Sequence, residues 1–461
     1  MWTWLILLCV VVAGFILAVL VSIHLLRQHR SPQSTVAWIA IIILLPPLGI
    51  PLYLSFGGRK SRKRIAERKE FRIDHHIEAA DERAQILERV LTSYDLPGAT
   101  WGNHVKLCQD GVQAFEDLLA MIDAAQESIH IQTFVFGGGN TGQILEQHLT
   151  AKAKAGVKVR LMIDAFGSLG LHRRFFKKLE AAGGHITFFS PVMHIPFLRR
   201  TNLRNHRKIT VVDEKYVWAG GTNLAEEYIG PTPLETRWRD LAFTLQGPAV
   251  RVYSRIFCSD WHAATNEHIE VIEVADAPMK PNEGALVQIC PSGPDVPRDV
   301  LHGVLMTAFF QASRRLWVVT PYFVPDDPLV RALVLAAHRG VDVRVLMPKV
   351  SNQKLADIAR GTYLREMQAA GVRIHLYPKG MVHAKVIVID DDLAIVGSAN
   401  MDMRSLFLNY EVAMFQYSRA EVDATSVWVK ALMDETEIGV EAVGNWRETF
   451  EGIVRIFAPL L

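Results

Sequence analysis

Two uncharged, apolar stretches open the chain: residues 1–23 and 31–58 contain no Asp, Glu, Lys or Arg. Each exceeds the roughly 20 apolar residues that span a bilayer as a helix, so the pattern predicts a transmembrane helical hairpin over residues 1–58. Trp2, Trp4, Trp38 and Tyr53 fall toward the span ends, where aromatic rings favour the interface. Pro46, Pro47 and Pro51 should kink or break the C-terminal half of the second span. A cleavable signal peptide would account for the first stretch alone, but no basic segment precedes it and a second apolar stretch follows at once. Residues 59–70, RKSRKRIAERKE, then carry seven Lys/Arg and two Glu, against only Arg27 and Arg30 between the apolar stretches. The positive-inside rule places this segment, and all that follows, in the cytoplasm. A polar helical connector is expected over 59–96, ended by Pro97 and Gly98.

From residue 97 the pattern changes to short apolar runs separated by helix-like stretches, and it repeats. SIHIQTFVF (128–136), a helix-like stretch from Gly142 and AGVKVRLMID (155–164) precede one alternating run. RRLWVVTPYFV (314–324), a helix-like stretch from Pro328 and RGVDVRVLMP (339–348) precede another. Thr133 and Thr320 are 187 residues apart, Gly156 and Gly340 184, and His206 and His383 177. Near-constant offsets indicate a duplicated α/β unit, with one half over 97–275 and the second over 276–461. Strand, helix and strand in succession favour mixed or parallel sheets covered by helices.

The two runs share more than periodicity. HRKITVVD (206–213) and HAKVIVID (383–390) both read HxKxxxxD, followed fourteen residues after the histidine by Gly220 or Gly397 and seventeen after it by Asn223 or Asn400. Two copies with the same trailing residues are not accidental. ITVV and VIVI are strand composition, so period two puts His206 and Lys208 on one strand face, and His383 and Lys385 likewise. The residue types suit phosphate chemistry. A neutral imidazole can attack phosphorus, an ammonium can neutralise phosphoryl oxygens, and an Asn amide can donate hydrogen bonds to them. Asp213 and Asp390 complete the motifs, yet at the strand's end and on its opposite face they suit backbone hydrogen bonding better.

These paired motifs resemble those of the phospholipase D superfamily, and within it the chain is most similar to bacterial cardiolipin synthases. RxPxxTxAW (30–38), LPPLGIPLYLSFG (45–57), CPSGPD (290–295), TPYFVPD (320–326), GSANMDMRS (397–405) and the terminal APLL carry the narrower likeness. The resemblance implies two α/β/α sandwich halves related by a pseudo-twofold axis, with both motifs lining one cleft. It implies that His206, Lys208, Asp213, His383, Lys385 and Asp390 form the catalytic motifs, with His206 as nucleophile and His383 as general acid and base, the reverse assignment being the alternative that pseudo-symmetry allows. Asn223 and Asn400 would help the lysines hold the phosphoryl oxygens. Asp240, closing TRWRD, and Glu411, closing LNYE, resemble the acidic positions that orient the opposite half's histidine, pairing Asp240 with His383 and Glu411 with His206. The implied reaction joins two phosphatidylglycerols into cardiolipin and glycerol, at the inner membrane of a bacterium and without a metal or other cofactor. Hydrolysis of phospholipid to phosphatidic acid, or use of phosphatidylethanolamine as co-substrate, are the alternatives within the same chemistry.

Composition narrows the choice. A net charge of +2 gives no field that demands nucleic acid, which disfavours a nuclease. A non-catalytic lipid scaffold would be expected to have lost a motif histidine or lysine, and all four are present. Hydrophobic residues make up 50% of the chain with mean hydropathy +0.15, an excess that sits at the N-terminus. Cys9, Cys108, Cys258 and Cys290 form no CxxC and no metal-ligand pattern with histidine, and suit reduced structural thiols. Neither half contains GxxxxGK[ST], which argues against a P-loop nucleotide site. Just before the first motif, PVMHIPFLRR (191–200) combines apolar residues with two arginines, so Phe197, Arg199 and Arg200 are expected to touch the bilayer. The expected partners are phosphatidylglycerol and anionic membrane lipid, and a homo-oligomer is compatible with the sequence.

Overall fold

The computed structural model describes residues 2–27, 32–58, 81–190, 202–270 and 283–456. The chain divides into two units, one built on the N-terminal helices and a larger α/β unit that holds both repeats. In the first, α1 (Trp2–Leu26) precedes α2 (Pro32–Leu44) and α3 (Pro46–Phe56). Leu45 leaves helical geometry at φ −135° and ψ 62° because Pro46 follows it. A proline ring excludes the helical conformation from the preceding residue and supplies no N–H. The second apolar stretch is therefore two short helices, broken at Leu45 just before Pro46 and Pro47. Ala18, Val21, Leu25, Trp38, Ile42, Ile50 and Tyr53 pack together, with Trp38 and Tyr53 edge to face at 5.5 Å. Phe15, Leu20, Leu26, Leu44 and Leu48 point outward and are exposed. Among the described residues no helix is long and apolar enough to cross a membrane; the side chains at 5–11 of α1 lie outside them.

In the α/β unit, strands form one continuous sheet, and its order displays the duplication. The first half contributes β1 (Thr100–Cys108), β2 (Ser128–Thr133), β3 (Lys158–Asp164), β4 (His185–Phe189), β5 (Ile209–Val212), β6 (Tyr216–Gly220) and β7 (Ala242–Gln246). The second contributes β8 (Ala285–Ser292), β9 (Arg315–Val319), β11 (Asp342–Pro348), β12 (Arg373–Tyr377), β13 (Val386–Ile389), β14 (Leu393–Gly397), β16 (Glu411–Gln416) and β17 (Glu437–Ile438). A separate pair joins β10 (Phe323–Val324) to β15 (Met401–Asp402). Reading outward from the centre, one wing runs β1, β7, β6, β5, β2, β3, β4 and the other β8, β16, β14, β13, β9, β11, β12, β17. Antiparallel pairing of β1 with β8 closes the two wings into one sheet. Within each wing the outer strands run parallel, β2 to β3 to β4 and β9 to β11 to β12, as strand–helix–strand crossovers require.

The motif strands lie deep in this sheet, and all four residues of both β5 and β13 are buried. Burial on both faces selects continuous β-branched runs rather than apolar–polar alternation. Helices pack on the sheet through amphipathic faces. Helix Gly111–Ala124 buries Phe115, Leu118 and Ile122 and starts at Asp110, whose carboxylate accepts the N–H groups of Val112 and Gln113. Trp218, Trp261, Phe243 and Phe257 are almost fully buried, each stabilising the fold by roughly 1.5–3 kcal/mol or more. The described part of the expected connector contains one helix, Glu82–Thr92, capped by Asp81.

Candidate active site

The two motifs meet because each is held by the entry to a strand of the other half. The His206 N–H donates to the Tyr410 carbonyl at 2.9 Å, and the His383 N–H to the Arg239 carbonyl at 2.7 Å. Parallel bridges join Asn205 to Tyr410 and Arg239 to Val382. The residues after these anchors are Glu411 and Asp240, so the backbone register itself delivers a carboxylate to the opposite imidazole. His206 Nδ1 lies 3.0 Å from Glu411 Oε1, and His383 Nδ1 lies 2.6 Å from Asp240 Oδ2. Both pairings match the crossed arrangement expected for Asp240 and Glu411.

The histidines and lysines do not sit on the strands as the alternation suggested. β5 begins at Ile209 and β13 at Val386, so each His–Lys pair occupies extended chain just before its strand. The sheet ladder ends there because the approaching chain belongs to the other half. Alternation nevertheless persists. Asn205 and Arg207 turn one way, both to Asp260 Oδ2, at 3.2 and 2.7 Å, leaving Arg204, His206 and Lys208 for the other side.

Burial and charge set the protonation states. Both imidazoles are pushed down by burial, His206 to about 4 and His383 to about 3, against the pull of their carboxylates. Burial also lowers Lys385 to about 8 and carries Lys208 well below the usual ammonium range. Burial alone would raise Glu411 and Asp240, but the facing histidines and lysines overcome it and hold both carboxyls below their ordinary values. Lys208 and Lys385 each depress the histidine of the opposite motif as well as of their own. The four side chains thus share one site. Lys208 Nζ donates to the His206 carbonyl at 2.6 Å, and Lys385 Nζ donates to the His383 carbonyl.

Of the trailing motif residues, Asn400 lines a small cavity together with Lys385. Gly221, beside Gly220, has no room for a side chain: a Cβ there would collide with Asp240 Oδ1 and come within 3.2 Å of Lys385 Cδ. Asn223 Oδ1 accepts the Val135 N–H at 3.1 Å, which fixes the direction of its amide group. Asn400 is similarly buried and bonds Asp402 through its side chain. The motif aspartates are elsewhere. Asp213 accepts N–H groups from Gln126, Glu127 and Ser128 at 2.7–2.8 Å, and Asp390 those of Ser313, Arg314 and Arg315 at 2.7–3.0 Å. Both have positive φ, 52° and 47°. They clamp the loops that start β2 and β9 and do not face the histidines, so their place among the catalytic residues is corrected to a structural one. Phe197, Arg199 and Arg200 lie outside the described residues.

Several residues around the imidazoles were given no role by the motifs, although Trp238 lies within TRWRD and Ser398 within GSANMDMRS. Phe134 meets the His206 ring edge to face at 4.9 Å, whereas His383 is boxed by Tyr228 at 5.0 Å and Trp238 at 5.6 Å. Ser398 Oγ donates to Glu411 Oε2 and accepts the Val412 N–H. Arg207, with no exposed surface, bonds Asp260, Asp295, and the carbonyls of Ser292 and Glu411. This buried cation ties both halves together directly behind the first motif. Only its position inside HRK hinted at it.

Residues 118–261 and 305–433 match the family described as cardiolipin synthase, PLD-like domain. Residues 16–58 match one described as phospholipase D-nuclease N-terminal. The chain is similar to the major cardiolipin synthase ClsA of Bacillus subtilis, with 34% identity over 475 residues, covering 97% of this chain and 98% of the relative. A cardiolipin synthase of Geobacillus kaustophilus is 34% identical over 414 residues, 87% of this chain and 82% of the relative. Among solved structures, a phosphatidylserine synthase of Haemophilus influenzae aligns with TM-score 0.57 and 14% identity over 82% of this chain and 98% of its own, a likeness of fold. With two matched segments, one in each half, and relatives aligned along nearly its whole length, the chain belongs to the cardiolipin synthase family of phospholipase D-like proteins.

Proposed function

We propose that the chain is a membrane-bound phosphatidyltransferase that makes cardiolipin and glycerol from two phosphatidylglycerol molecules. The observation that carries this reading is the reciprocal crossing of the site, in which each half's carboxylate orients the other half's imidazole. Two oriented bases with two lysines and two amides suit a double displacement on phosphorus. His206, neutral at pH 7 because burial depresses it, attacks the phosphorus through Nε2. The P–N bond forms, the P–O bond to glycerol breaks, and His383 gives its proton to the departing oxygen. His383 then takes the proton of the second lipid's hydroxyl, that oxygen attacks phosphorus, and the P–N bond breaks. In the empty site the charge of Lys385 helps burial keep His383 neutral. An entering phosphodiester anion offsets that charge, so His383 takes up a proton from solvent as the first lipid binds, and Asp240 at 2.6 Å stabilises the resulting imidazolium before it protonates the departing oxygen. Asn223 and Asn400 assist the lysines at the phosphoryl oxygens.

The uncharged N-terminal helices, with Phe15, Leu20, Leu44 and Leu48 facing outward, support attachment to the membrane as a hairpin with the α/β unit on the cytoplasmic side. Residues 191–200 fit contact with the same bilayer. Incubating the purified protein in detergent with labelled phosphatidylglycerol tests the function. Cardiolipin plus glycerol is the expected outcome, and phosphatidic acid alone would assign hydrolysis instead.

A further inference from the structure

The catalytic residues obey the pseudo-twofold relation, but the charges beside them do not. Period two along the first motif sets Arg204, His206 and Lys208 on one side of the chain, since Asn205 and Arg207 both turn to Asp260. At the same offset before the second motif, the partner of Arg204 is Met381. A second difference follows the motif asparagines. Four residues beyond Asn400 stands Arg404, and four beyond Asn223 stands Glu227. The backbones correspond here, because Phe136 bridges Leu224 in parallel as Phe323 pairs with Met401. One side of the cleft therefore carries two arginines where the other carries a methionine and a glutamate.

Both arginines belong to the His206 side. The Arg204 carbonyl accepts the Tyr410 N–H at 2.9 Å, one residue before Glu411. Its guanidinium lies 3.5 Å from Asp164 Oδ1 and 5.2 Å from the centre of the half-exposed Phe166 ring. At 4% exposure Arg204 is as enclosed as His206 at 7%. Arg404 sits on the short helix Met403–Phe407, whose end leads straight into Tyr410 and Glu411. The charges of Asp402, Arg204, Asp164 and Glu411 all act on it. The two carboxylates nearest these arginines are shared with backbone donors. Asp164 accepts N–H groups of Asn205, Phe166 and Gly167, and Asp402 accepts that of Ser405. They locate the guanidinium groups, whose planar forks match phosphate oxygens.

We infer that Arg204 and Arg404 form an anion subsite on the His206 side of the cleft, which takes a second phosphodiester while the transferred phosphoryl group lies between the histidines. This rests on the transferase reading, in which the acceptor brings a phosphodiester of its own. A simple hydrolase would need one phosphate site, and a symmetric cleft would offer two equal ones. The asymmetry assigns the acceptor's phosphate to the first half and directs its free hydroxyl toward the phosphorus.

The test compares two soluble labelled acceptors, glycerol and sn-glycero-3-phosphoglycerol, by the label each carries into lipid, with unlabelled phosphatidylglycerol as donor and the full-length protein in detergent. The wild type should favour the phosphodiester acceptor by about tenfold or more in kcat/KM, a measurement that needs no variant to fold. Arg404→Gln should lower that preference about tenfold, and Arg404→Lys should restore part of it. An acceptor preference absent in the wild type, or unchanged in a folded Arg404→Gln, overturns the subsite and leaves the transferase reading intact. Release of phosphatidic acid alone with both acceptors overturns the transferase reading, and the subsite with it.

Discussion

The two halves of the cleft share a backbone and differ in what stands behind each histidine. His206 is held by Glu411, steadied in turn by Ser398, and meets Phe134. His383 is held by the shorter Asp240, for which Gly221 clears space, and is boxed by Tyr228 and Trp238. Behind the first motif the buried Arg207 joins Asp260 to Asp295, while Ala384 fills the same motif position in the second. Duplication thus supplies two imidazoles in equivalent places, and divergence of their surroundings gives them different work. A site that attacks with one base and manages protons with the other gains from such inequality.

The largest effect should come from the pair that did not diverge. His206→Ala and His383→Ala should each lower cardiolipin formation by about 10³-fold or more with little change in thermal unfolding. Activity above about a tenth of the wild type in either variant would break the equivalence of the two motifs. Arg207→Met tests the ionic cluster that only the first motif carries. Removing one partner of a buried ionic cluster leaves Asp260 and Asp295 uncompensated, at a cost of about 3–5 kcal/mol, so denaturant unfolding should shift strongly. A shift below about 1 kcal/mol would mean that the cluster is not what couples the halves.

Smaller effects sharpen the contrast. Glu411→Gln and Asp240→Asn should each reduce turnover by about a hundredfold through loss of imidazole orientation, and steady-state kinetics would show whether kcat falls without KM. Asp213→Asn and Asp390→Asn should cost stability rather than catalysis, about 1–3 kcal/mol each. Asp390→Asn should be the worse of the two, because it also strips a partner from Arg83, which lies 2.6 Å from Asp390 Oδ2. A large kcat loss in stable Asp213→Asn would return that residue to the catalytic set. Acid sensitivity gives the finest comparison. His206 and His383 titrate at about 4 and about 3, below the ordinary 6.5, so between those values the unfolded chain binds more protons. Stability from this source falls as pH drops below 6.5. His383→Gln should therefore flatten the decline in melting temperature between about pH 6.5 and 4.5, and an equally steep decline would contradict the buried neutral imidazole.

Much of the site was legible in HxKxxxxD because chemistry and strand period constrain those letters together. The partners Asp240 and Glu411 came from likeness to known motifs, and the register through Tyr410 and Arg239 supplies the physical reason. Arg207, Tyr228 and Ser398 were not legible, since a buried arginine, a phenol and a hydroxyl each have many ordinary uses and only three-dimensional proximity separates them. The same limit explains the strand starts. Alternation ran back to His206, but whether a neighbour pairs there depends on the other half of the chain. In the N-terminal unit the prolines announced a kink or a break, while which of the two occurs at Leu45 depended on local backbone geometry.

The central claim is that His206 carries the lipid while His383 handles protons. A labelled phosphatidyl ester of p-nitrophenol, whose leaving group needs no acid, tests it when mixed with each variant and quenched in denaturant. His383→Ala should retain covalent lipid on a peptide containing His206, and His206→Ala should retain none. Label held by His206→Ala, or by neither variant nor the wild type, would contradict the account.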